Sequence, residues 1–136
     1  MATAPRPQHT PVLHSIDKAE PFATAEAAWF WTMTALIARQ DGARVVAGLG
    51  SVVRPCEPDD VVKCLDRLYR QRRIDLHHGR VLRRWGERGN SPNPAYATER
   101  ADAAIWREAM TRLEWPLRVK GIVAGGAFGT VAALRP

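Results

Sequence analysis

Residues 58–88 read PDDVVKCLDRLYRQRRIDLHHGRVLRRWGER, and the reading of this stretch decides the fold. At about 100° per residue, Val61, Val62, Cys64, Leu65, Leu68 and Tyr69 fall on one stripe, with Asp59, Lys63, Asp66, Arg67 and Arg70 opposite. That pattern predicts a helix over 58–72, with Pro58 in its first turn, Asp59 and Asp60 at the positive end of its dipole and arginines at the other. After a short break at 73–75 a second helix is expected over 77–88, opened by Asp75 or Leu76 and closed by Gly89. Its apolar face is Val81, Leu82 and Trp85, joined by His78. Gly79 and Gly86 each weaken it by nearly ~1 kcal/mol relative to alanine, so packing must hold it.

Working outward, Ala25 to Gln40 is expected to be a helix between the N-cap Thr24 and the Asp41-Gly42 stop, with Trp29, Phe30, Met33, Leu36 and Ile37 on its core face. Its other side, with Ala28, Trp31, Ala35 and Ala38, is nearly as apolar, which raises a homodimer contact through Trp31. Two β-branched runs around Gly48-Leu49-Gly50 read as a small hairpin within 43–55; a lone Gly-x-Gly is a turn before it is a phosphate cradle. The Asn90 to Pro94 loop precedes a last helix over 98–114, with Trp106, Ala109, Met110 and Leu113 inward and Trp115-Pro116 as its stop. The expected fold is mainly α: a four-helix domain over 23–118 with a helix-turn-helix-like pair. A Pro-rich flexible arm (1–22) precedes it and a Gly-rich apolar tail (119–136) follows.

The composition, 46% hydrophobic and 25% charged, is that of a globular domain. No apolar run approaches the roughly 20 residues of a membrane span, and no signal-peptide block opens the chain, so the expectation is a cytoplasmic protein without a membrane partner. Cys56 and Cys64 lie eight apart and His77 and His78 are adjacent, which is the wrong spacing for a zinc site; no metal and no cofactor are expected. Neither a phosphate-loop nor a metalloprotease motif occurs, and no nucleophile–base pair can be nominated, so no catalytic residue is assigned and the chain is not expected to be an enzyme.

What remains is charge. The chain carries +6 overall, and residues 67–88, with eight arginines against Asp75 and Glu87, account for all of it. A basic block of this kind is the footprint of a polyanion partner. The second helix of a helix-turn-helix pair enters the major groove, and the arginine fork can chelate a phosphate or a guanine edge. On this reading Arg80, Arg83 and Arg84 read bases, His77 contributes at the helix start, and Arg70, Arg72, Arg73 and Arg88 clamp the backbone. DNA is favoured over RNA, because no exposed aromatic pair on strands offers RNA a stacking sheet. The expectation is a small DNA-binding regulator of transcription; the alternative is a protein-interaction module that uses tryptophan and arginine on its surface.

Overall fold

The computed structural model describes residues 19–42 and 52–125. Four helices carry the fold: α1 (Ala25–Gln40), α2 (Pro58–Arg70), α3 (Leu76–Arg88) and α4 (Arg100–Val119), and the protein is mainly helical as its periodicity predicts. Of the segment expected to form a hairpin, only 52–55 is described, and it contains no strand; the glycine turn at 48–50, the arm before residue 19 and the tail after 125 lie outside the described residues.

The starts of α1, α2 and α3 are fixed by side chains, whereas Glu99 at the start of α4 makes no side-chain cap hydrogen bond. Thr24 is extended and its hydroxyl accepts the Ala27 N–H at 3.0 Å. The Glu57 N–H donates to Asp60 Oδ2 at 2.8 Å, with Pro58 in the first turn where its missing N–H costs nothing. Asp75 accepts from the backbones of His77 (3.0 Å) and His78 (3.3 Å), and the Asp75 N–H donates back to His78 Nδ1 at 3.1 Å. Histidine thus takes the place that glutamate or glutamine holds in the usual capping box.

The helix ends place one residue each in left-handed geometry: Gly42 after α1, Gly89 after α3, Gly121 after α4. After α2 the same position is Arg72, at φ +61°. The Arg73 N–H reaches Leu68 O and the Arg72 N–H reaches Tyr69 O, both at 2.9 Å, so this is the two-bond terminus that glycine normally closes. It ends α2 at Arg70 and widens the break from the expected 73–75 to 71–75.

α1 packs against all three other helices, and so does α4, whereas α2 and α3 make almost no contact with each other. α2 and α3 therefore flank a central α1–α4 pair. In a helix-turn-helix unit the two helices are set against one another across the turn. This pair keeps the chain order of such a unit, while each member leans on α1 and α4.

α4 begins two residues later than expected and runs through Trp115-Pro116 to Val119. Proline removes one helical hydrogen bond, but continuing the helix buries Leu117 completely, and burying a leucine contributes about 2 kcal/mol. Gly121 then reverses the chain, and Ile122 and Val123 are buried. Phe22 pairs with them: its N–H donates to Ile122 O at 2.8 Å and its carbonyl accepts from Ala124 at 2.7 Å, forming a parallel bridge with Val123. The core thus takes in described residues beyond both ends of 23–118. Trp31 lies half-buried with its ring centroid 5.1 Å from that of Phe22, so the apolar flank that raised a homodimer is partly covered within the chain. Among the described residues no helix is long and apolar enough to cross a membrane.

Candidate nucleic-acid interface

All eight basic residues singled out in the sequence are exposed, but they divide into two groups. Arg70, Arg83 and Arg84 are engaged with carboxylates: Arg70 with Asp66 (3.0 Å), Arg83 with Glu87 (3.0 Å) and Arg84 with Asp102 (2.7 Å). Arg88 lies over the Trp85 ring, its guanidinium carbon 4.4 Å from the centroid. Arg72, Arg73 and Arg80 have no carboxylate partner among the described residues, and exposed His77 lies between them in sequence. Of these eight, the arginines with neither a carboxylate nor an aromatic partner among the described residues therefore lie at the 71–75 turn and in the first turns of α3.

Two polar clasps fix α3 on α4. At one, Asp102 Oδ2 accepts from both Trp85 Nε1 (2.9 Å) and Arg84 Nη1 (2.7 Å); these two donors, the indole first, hold its carboxyl below the usual carboxylate range. At the other, buried His78 holds Glu108 Oε1 through Nε2 at 2.6 Å. On its other side Nδ1 lies 3.1 Å from both the Asp75 backbone nitrogen and Asp75 Oδ1, so the ring is held between the carboxylates of Asp75 and Glu108. The His78 hydrogen bond, and after it Arg112, lower the Glu108 carboxyl; Asp75 is lowered first by the His78 N–H that it caps. The second clasp continues outward, since Arg112 pairs with Glu108 Oε2 (3.1 Å) and donates to the Arg73 carbonyl at 2.7 Å. Arg112 is thus a brace of the basic turn.

Asp102, Glu108 and Arg112 escaped the sequence reading because they sit on a helix distant in the chain, and no local spacing links them to the arginines. Tyr69, assigned to the core stripe of α2, is 46% exposed beside the basic turn. Gly86, read as a helix weakener, is the point where α1 approaches α3. Trp29 Nε1 donates to Leu82 O at 2.9 Å, and a Cβ on Gly86 would lie 2.6 Å from Met33 Cγ.

Burial pushes the Cys56 thiol up to about 11, with Asp60 and Glu57 adding to the shift, and burial also raises Cys64. A shallow cleft of about 230 Å³ between the start of α1, the 91–94 loop and α4 is lined by Glu26, Ser91, Pro92, Trp106, Arg107 and Met110, among others; neither histidine nor cysteine lines it. Comparison with family models, with curated proteins and with solved structures finds no match.

Proposed function

We propose that this protein binds nucleic acid, as a small DNA-binding regulator, through the 71–75 turn and the outer face of α3, acting by occupancy and without catalysis. The observation that carries the reading is Arg72. Among the four described helices, three ends have glycine in the left-handed position and the fourth has an arginine there, within the segment that accounts for the chain's net charge. Non-glycine residues are strained in that geometry, and strain of this kind concentrates at sites of recognition. The free cations Arg72, Arg73 and Arg80 supply phosphate contacts, and Arg83 and Arg84 reach bases only by leaving Glu87 and Asp102.

The test is retention on DNA across a salt series. Phosphate contacts release counterions, so the logarithm of affinity falls linearly with the logarithm of salt. Replacing Arg72, Arg73 and Arg80 together by alanine should weaken retention strongly and flatten the slope by about 2.7. Replacing Lys63, Arg100 and Arg107, three exposed cations outside the turn, should change it far less. Equal losses from both triples, or no retention by the unaltered protein at low salt, would reject the reading.

A second reading is favoured by α4, where Trp115 and Val119 lie one turn apart and are 62% and 64% exposed. A protein partner docked there would resist nuclease and be released by Trp115→Ala, a change that leaves nucleic-acid retention untouched.

A further inference from the structure

The two aromatic side chains of the basic segment are in opposite situations. Trp85 is occupied on its edge by Asp102 and on its face by Arg88. Tyr69 belongs by periodicity to the stripe whose neighbour Leu68 is only 5% exposed, yet it stands 46% open to solvent at the last turn of α2. The chain then folds back over that turn, with the Arg72 N–H on the Tyr69 carbonyl and the Arg73 N–H on the Leu68 carbonyl. Arg112 fixes the Arg73 carbonyl from α4. An open ring and two cations without carboxylate partners are thereby held within a single turn of backbone.

We propose that this turn is a stacking site for single-stranded nucleic acid, with Tyr69 as the platform for an unpaired base and Arg72 and Arg73 as its flanking phosphate contacts. The inference rests on the nucleic-acid reading and specifies the form of its substrate. In a duplex each base face is already covered by its neighbour, so an aromatic ring gains nothing there without prying the stack apart. A flexible strand turns a base outward onto the ring while its phosphates meet the arginines, a combination that tolerates any base because every base has a π-face.

The experiment measures fluorescence anisotropy of labelled oligodeoxythymidylate, oligouridylate and a duplex of equal length, with the full chain at low salt. The single strands should bind more tightly than the duplex. Tyr69→Ala should weaken them about tenfold or more and leave the duplex unchanged. Tyr69→Phe should restore binding, and Tyr96→Ala, which removes another exposed tyrosine, should have no effect. Circular dichroism separates loss of the platform from loss of the fold. Duplex bound as tightly as single strand, with Tyr69→Ala neutral or lowering both alike, overturns the stacking site and leaves the nucleic-acid reading in place. Binding of none of the three probes overturns both.

Discussion

Two glycines seven residues apart in α3 face different surroundings and should respond to alanine with opposite signs. At Gly79 nothing lies within 4 Å of an added Cβ, so Gly79→Ala should stabilise the fold by up to about 1 kcal/mol through helix propensity. At Gly86 the same methyl group meets Met33 and the indole that donates to Leu82 O, so Gly86→Ala should cost about 1–3 kcal/mol. Urea denaturation of the two variants checks both signs. Sequence treats the pair alike, because propensity is local whereas the collision at Gly86 comes from α1. Arg72 makes a sharper case. Arg72→Gly relieves the left-handed strain and should leave the protein as stable or more stable, by up to about 1 kcal/mol, while weakening nucleic-acid retention. A variant that gains stability and loses binding would separate the two roles of that residue in one measurement.

Among the elements, the α3–α4 contact has the clearest pH signature. Asp102 is held below its ordinary carboxylate value by Trp85 and Arg84, so the native state favours its charged form. Its contribution is complete above the unfolded carboxylate value of about 4 and disappears as the pH falls through the lower native one. Asp102→Asn should therefore be less stable than the parent at neutral pH, and the gap should close as denaturation is repeated down through the carboxylate range. The thiols give the reverse case: with Cys56 near 11 and Cys64 buried, native protein at neutral pH should resist alkylation that proceeds once it is unfolded. Helix existence was legible throughout. α1 carries its own punctuation in Thr24 and Gly42, and α3 carries Asp75 and Gly89, so their limits follow from local chemistry. The end of α4 was not legible, because the gain from burying Leu117 outweighs Pro116 and depends on a cavity that other helices create.

At the scale of the whole molecule, the contact that closes the fold joins the two sides of the described chain. Phe22 is buried between Trp31 and the Arg54 guanidinium, 4.1 Å from its ring, and hydrogen-bonds across to residues 122–124. Phe22→Ala should cost about 3 kcal/mol or more, and its effect should not add to that of Val123→Ala, a coupling that a double-mutant cycle on full-length protein would measure. Composition near these residues, proline-rich before and glycine-rich after, conceals their role; only the assembled helices offer them a place to dock. The basic turn, by contrast, was legible as a block of charge, though its division into free and paired arginines required α4. The bridge at Phe22 also has a mechanical consequence. Its two segments run parallel, so a load drawing Ala19 and Gly125 apart slides one segment along the other and stretches both hydrogen bonds together instead of opening them one after the other. Pulled from Ala19 and Gly125, the described domain meets its latch before it meets any of the four helices.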